Sequence, residues 1–70
     1  MKYLKLLIVD DDQRMRESCS MLLETLKIKL PWLEDEYRFQ ITETGTAEEA
    51  KSLIESQKTD LLLLDQRLPG

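Results

Sequence analysis

Two groups of acidic residues follow apolar runs in this chain: Asp10, Asp11 and Asp12 come directly after Leu6-Leu7-Ile8-Val9, and Asp65 comes directly after Leu61-Leu62-Leu63-Leu64. Each run has the composition of a buried strand, so each strand ends in carboxylate. Lying side by side and parallel, two such strands would gather three or four carboxyl groups at one end of a sheet, where like charges repel unless a cation or a proton intervenes. Hard, oxygen-seeking Mg²⁺ is held by one or two carboxylates with water and phosphate oxygens, so Asp10 or Asp11 plus Asp65 is a suitable ligand set. Ca²⁺ fits less well, because no dedicated ligand loop is present in the sequence. A carboxylate beside the ion can also act as a nucleophile toward a phosphoryl group, the metal offsetting charge on the transferring oxygens during in-line attack. Asp65 is the candidate nucleophile: it stands alone at its strand end, whereas the triplet has neighbours that can share a cation. The plain alternative is that these residues cap helices and open turns. Acidic residues closing both central strands favour the site.

The intervening sequence supplies the elements that must hold those ends together. Leu4 to Val9 lacks polar alternation from Leu6 onward, as expected for a first strand covered on both faces of a parallel sheet. Met15, Cys19, Leu22, Leu23 and Leu26 then trace one face of a helix from about Gln13 to Lys27, with Asp12 as a candidate cap. Lys27 and Lys29 fall near its end, where cations suit the helix dipole, and Pro31 prevents continuation. Leu30 to Glu36 forms a loop. From Tyr37 to Thr44, Tyr37, Phe39 and Ile41 alternate with Arg38, Gln40 and Thr42, the pattern of a half-exposed edge strand. Gly45 breaks it. Thr46 and Glu49 form a capping box for a second helix carrying Ala47, Ala50, Leu53 and Ile54 and fading around Gln57 to Thr59. Asp60 leads into the last strand, Leu61 to Leu64, and residues 65–70 are turn-forming.

A βαβαβ order favours a parallel sheet with right-handed crossovers. With the second strand at an edge and the first and third buried, the fold class is α/β: a three-stranded parallel sheet of order 2-1-3 with a helix on each face. The switch point of such a sheet lies between the carboxyl ends of strands one and three, and both acidic sites fall there.

Composition narrows the remaining function classes. Seventy residues make one small domain, and a chain of this size buries only about 60% of its unfolded surface. A net charge of −4, with no Lys/Arg cluster on any predictable face, argues against nucleic acid binding by this segment. The apolar runs are too short for a signal peptide or a membrane span, which gives no membrane association and a cytoplasmic location as expectations. The single cysteine, Cys19, has no internal disulfide partner and reads as core. Met15 and Met21 read as helix packing. Trp32 is expected to fold back over a helix end, the alternative being a partner-binding patch.

The ordered set Leu6-Leu7-Ile8-Val9-Asp10-Asp11-Asp12, Thr44-Gly45-Thr46-Ala47-Glu48-Glu49-Ala50, Asp60-Leu61-Leu62-Leu63-Leu64-Asp65 and Leu68-Pro69-Gly70 resembles the response-regulator receiver domain of two-component signalling. The likeness spans almost all of the chain. It implies a flavodoxin-like fold and a cytoplasmic phosphoacceptor rather than an enzyme. Asp65 would take a phosphoryl group from the phosphohistidine of a sensor histidine kinase. It also implies that Asp10 and Asp11 position Mg²⁺, Asp11 more directly and Asp10 through water, and that Asp65 and the backbone carbonyl of Arg67 complete the metal site. Asp12 has no fixed role in the family.

The sequence also departs from that family. Receiver domains have five strands; residues 1–70 account for three, so the expectation is a partial receiver domain lacking the last two strands and their helices, and not switch-competent by itself. The family's Ser/Thr after strand four and Lys after strand five have no counterpart here, since Lys2, Lys5, Lys27, Lys29, Lys51 and Lys58 lie outside the expected active-site loops. The connection Leu30 to Glu36 is longer than usual. With no fourth strand, Leu61 to Leu64 would present an apolar edge, a route to self-association or to completion by another chain. Two further functions fit the residues: a Mg²⁺-dependent phosphatase using Asp10 as nucleophile and Asp12 as acid, and a receiver-like docking module that never takes phosphate.

Overall fold

A computed structural model describes residues 2–29, 31, 32 and 34–65. Its elements are β1 (Lys2–Val9), α1 (Gln13–Glu24), β2 (Tyr37–Thr44), α2 (Ala47–Ser56) and β3 (Leu61–Leu64). The three strands form one parallel sheet in the order β2-β1-β3, as the pattern of apolar residues requires. β2 pairs with β1 along its full length, from Lys2 opposite Tyr37 to Val9 opposite Thr44. β3 pairs only with the second half of β1, from Leu6 opposite Leu61 to Val9 opposite Leu64.

That difference in pairing length decides where the core sits. Leu6, Leu7, Ile8 and Val9, flanked by strands on both sides, are buried, whereas Lys2, Tyr3 and Lys5 are exposed. Successive side chains point to opposite faces of a strand. Leu7 and Val9 accordingly pack with Ala50 and Leu53 of α2. Ile8, with Leu63, Met15 and Cys19 of α1, lines a groove on the other face. A helix therefore lies on each side of the sheet.

Burial departs from the sequence reading at three places. β3 is not a buried strand: Leu61 to Leu64 are 44–52% exposed. Both helices lie over β1 and β2, and among the described residues no helix Cα comes within 8 Å of a β3 Cα. β3 thus has β1 on one side and neither face fully covered, which matches the expected apolar edge. Nor is α1 a core helix. None of its residues is buried, and Met15, Met21, Leu22 and, just beyond it, Leu26 are exposed. Trp32 does not cover a helix end; it is 76% exposed.

The helix ends show which local signals held. Asp12 adopts an extended conformation and its Oδ1 accepts from the amides of Arg14 (3.0 Å) and Met15 (3.4 Å), an N-cap. α1 ends at Glu24 and not at Lys27, because the chain turns off to form an antiparallel bridge in which the Ile28 amide donates to the Tyr37 carbonyl (2.8 Å) and the Tyr37 amide to the Ile28 carbonyl (2.9 Å). Lys27 and Lys29 are therefore outside the helix and do not serve its dipole. The capping box of α2 is half made. Thr46 Oγ1 accepts from the Glu49 amide (3.1 Å), but the Thr46 amide donates to Thr44 Oγ1 (3.4 Å) and not to the Glu49 side chain.

Asp12 does its capping at the junction that presents Asp10 and Asp11, so its removal is felt locally. Asp12→Ala is expected to cost about 1 kcal/mol, read as a lower urea midpoint at constant slope, and Asp12→Ser to restore most of it. An unchanged midpoint in Asp12→Ala means that the cap contributes nothing.

Candidate functional site

The sheet ladder runs past the strand ends on both sides of β1. The Asp10 amide donates to the Thr44 carbonyl (3.1 Å), and the Asp65 amide donates to the Val9 carbonyl (2.9 Å). Since Val9 pairs with Leu64, one further step of the parallel register sets Asp10 beside Asp65. Both line the same groove as Ile8, Leu63, Met15 and Cys19. The sequence expectation that the tips of the first and last strands are neighbours is met by the hydrogen bond from the Asp65 amide to the Val9 carbonyl.

At those tips the carboxylates of Asp10, Asp11 and Asp65 come together, each offering an oxygen within 4.8 Å of the other two. Asp10 and Asp65 are half-buried and Asp11 is exposed, so the cluster opens to solvent on one side. Asp10 Oδ1 accepts from the Asp12 amide (2.9 Å), which closes the turn out of β1 and fixes the Asp10 carboxylate with its other oxygen available. Asp12 is not in the cluster; its carboxylate is turned to the amides of α1. Arg67 lies outside the described residues.

The donor set fits a hard divalent cation. Oxygens at about 2.1 Å from Mg²⁺ in octahedral geometry stand about 3.0 Å apart when adjacent and about 4.2 Å apart when opposite. A spread of at most 4.8 Å closes to that shell with small carboxylate rotations. Three carboxylates against one divalent ion leave one negative charge, and the opening to solvent admits the waters that Mg²⁺ retains.

Arg16 and Glu43, which the sequence alone does not mark, build the remainder of the corner together with Thr44 and Asp60. Arg16, on the first turns of α1, sends Nη1 back to the Asp10 carbonyl (2.7 Å) and places Nε 3.7 Å from Glu43 Oε1. Thr44 is buried, and its carbonyl and hydroxyl serve Asp10 and Thr46. At the far end of β3, Asp60 anchors the strand: its amide donates to the Lys5 carbonyl and its Oδ2 accepts from the Lys5 amide, both at 2.8 Å. Helical periodicity marks Arg16 only as polar. Its spacing from Asp10 carries no recognisable signal, because the contact depends on how the turn folds.

With this geometry in hand, similarity to known proteins bears on the chain. No family model matches it, and no solved structure matches it. It is 39% identical over 67 residues to the positive alginate biosynthesis regulatory protein of Pseudomonas aeruginosa strain PAO1. A regulatory protein is among its relatives. The match takes in 96% of this chain and 24% of that protein, so the chain spans about a quarter of the relative's length. Among the described residues no helix is long and apolar enough to cross a membrane.

Proposed function

We propose that this chain is the phosphoacceptor part of a response-regulator receiver domain, in which Asp65 takes a phosphoryl group from a sensor histidine kinase with Mg²⁺ held by Asp10, Asp11, Asp65 and the Arg67 carbonyl. The observation that carries this reading is the meeting of the Asp10, Asp11 and Asp65 carboxylates at the switch point of a 2-1-3 sheet. Similarity to a regulatory protein supports it. Mg²⁺ supplies charge neutralisation for the phosphoryl oxygens. Asp65 attacks phosphorus with one carboxylate oxygen as the bond to the donor's leaving nitrogen breaks, and Asp10 and Asp11 hold the corner on the opposite strand. The chain is the acceptor of the group and not an enzyme acting on a separate substrate, and its place is the cytoplasm, where the kinase's phosphohistidine is presented. The open edge of β3 is where a further strand or a second chain completes the sheet.

The phosphatase reading is weaker because it needs Asp12 as an acid, and the Asp12 carboxylate is committed to two helix amides. The test uses a small phosphodonor with Mg²⁺. A mass gain of one phosphoryl group is expected in the unsubstituted chain and none in Asp65→Asn. A gain that persists in Asp65→Asn overturns the assignment of the nucleophile, and one lost only in Asp10→Asn transfers the chemistry to the first strand.

A further inference from the structure

Arg16 reaches into the acidic corner through the Asp10 carbonyl. Its side chain is 18% exposed; Nη1 donates a 2.7 Å bond to the Asp10 carbonyl, and Nε, buried and without a hydrogen bond, faces Glu43 Oε1 at 3.7 Å. A bond from a charged donor to a carbonyl is among the stronger hydrogen bonds. The guanidinium thus ties three elements: α1, which carries it, the end of β1, whose carbonyl it holds, and the end of β2, whose Glu43 balances its charge. Asp10 is then fixed by its amide on the Thr44 carbonyl, its carbonyl on Arg16 and its carboxylate on the Asp12 amide.

Gly45 makes room for this arrangement. A Cβ at position 45 would stand 3.0 Å from Arg16 Nη1 and 3.9 Å from the Asp10 carbonyl oxygen, so a side chain there pushes the guanidinium tip aside by a few tenths of an ångström. The break that glycine makes in the alternation of β2 is therefore also a clearance for a side chain from the opposite crossover.

We infer that Arg16 is a positioning residue for the cation site, holding the Asp10 backbone so that Asp10 and Asp11 meet Asp65, with Glu43 as its counter-charge and Gly45 as its clearance. This rests on the cation-binding reading of the three carboxylates. It makes a prediction whose sign separates it from simple electrostatics. Arg16 is a cation close to a cation site, so by charge alone its removal strengthens binding of a divalent ion. A positioning role weakens it instead.

The experiment titrates Mn²⁺ into the full chain, reading free Mn²⁺ by electron paramagnetic resonance, at a temperature where circular dichroism shows each variant folded. Arg16→Met is expected to bind Mn²⁺ about tenfold more weakly, the usual scale for loss of an outer-shell support. Arg16→Lys, which keeps the charge but cannot span both the Asp10 carbonyl and Glu43, should show a smaller loss. Gly45→Ala, which removes no charged group and only nudges the guanidinium tip, should weaken binding by less than Arg16→Met. A bystander that merely stabilises the fold lowers the melting temperature and leaves the affinity unmoved. Equal or tighter binding by Arg16→Met overturns the inference while leaving the site intact. Where Arg16→Met does not fold, unchanged affinity in both Arg16→Lys and Gly45→Ala overturns it equally. Absence of Mn²⁺ binding by the unsubstituted chain sinks the cation site itself, and the role of Arg16 falls with it.

Discussion

Replacing Ile8 with alanine is expected to leave the chain largely unfolded in water at room temperature. Ile8 is 2% exposed and sits in the half of β1 that is hydrogen-bonded on both sides. Truncating a buried isoleucine to alanine costs about 2–5 kcal/mol, through lost transfer free energy and the cavity left behind. Native chains carry roughly 0.05–0.15 kcal/mol of stability per residue, which for this length is on the order of 4–10 kcal/mol in total. This chain belongs near the lower end. The buried apolar side chains among the described residues are Leu6, Leu7, Ile8, Val9 and Ala50, and α1 contributes none. One truncation in β1 therefore removes a large share of what separates folded from unfolded. Leu22→Ala is the matched control: Leu22 is 71% exposed, so the same kind of deletion in α1 should move the urea midpoint little. Far-UV circular dichroism showing native helix and sheet in Ile8→Ala, with a midpoint close to that of Leu22→Ala, would remove β1 from its place as the centre of stability.

The contrast between Ile8 and Leu22 also shows why some of the structure was legible in the sequence. An unbroken apolar run marks a strand and alternation a half-exposed one, so β1, β2 and β3 are legible as strands and the order 2-1-3 follows from which strand alternates, although the apolar run of β3 is exposed and not buried as expected. Periodicity says which face of α1 is apolar, but not whether anything covers it. Coverage depends on what lies beneath and beside an element: among the described residues β3 has no strand on its far side, and Met15, Leu22 and the four leucines of β3 are exposed. The bridge between Ile28 and Tyr37 was illegible for a related reason. It pairs residues across a loop, where no local period exists, and it is what stops α1 at Glu24. At the site, the carboxylates were readable because each closes an apolar run, so the register of the sheet alone decides whether they meet. Arg16 and Glu43 were not, and Gly45 was readable only as the end of a strand, because their contacts arise from the path of a turn.

The same carboxylate cluster yields a prediction whose sign reverses with the medium. In the absence of divalent cations, three like charges with oxygens within 4.8 Å of one another repel, at about 1 kcal/mol per pair near 4 Å even at the dielectric constant of water. Asp11→Asn removes one exposed charge from the cluster while keeping the side chain's shape, so in EDTA it should raise the urea midpoint. With Mg²⁺ at about 100 times its dissociation constant, a folded state that binds the ion gains about 2.7 kcal/mol over one that does not. The unsubstituted chain should then overtake Asp11→Asn, and Asp65→Asn should likewise lose its response to Mg²⁺. Asp12→Asn is the internal control. Asparagine caps a helix about as well as aspartate, and Asp12 faces the α1 amides and not the cluster, so this variant should respond to Mg²⁺ as fully as the unsubstituted chain. The crossing of the two stability orders is the informative outcome, because a loss of packing at position 11 would lower the midpoint in both media and a nonspecific salt effect would raise all four proteins together. If Mg²⁺ shifts Asp65→Asn as far as the unsubstituted chain, the third carboxylate is a neighbour of the ion and not a ligand. If it shifts none of them, the corner holds no cation, and the relief of repulsion in EDTA remains as the whole consequence of bringing the two strand ends together.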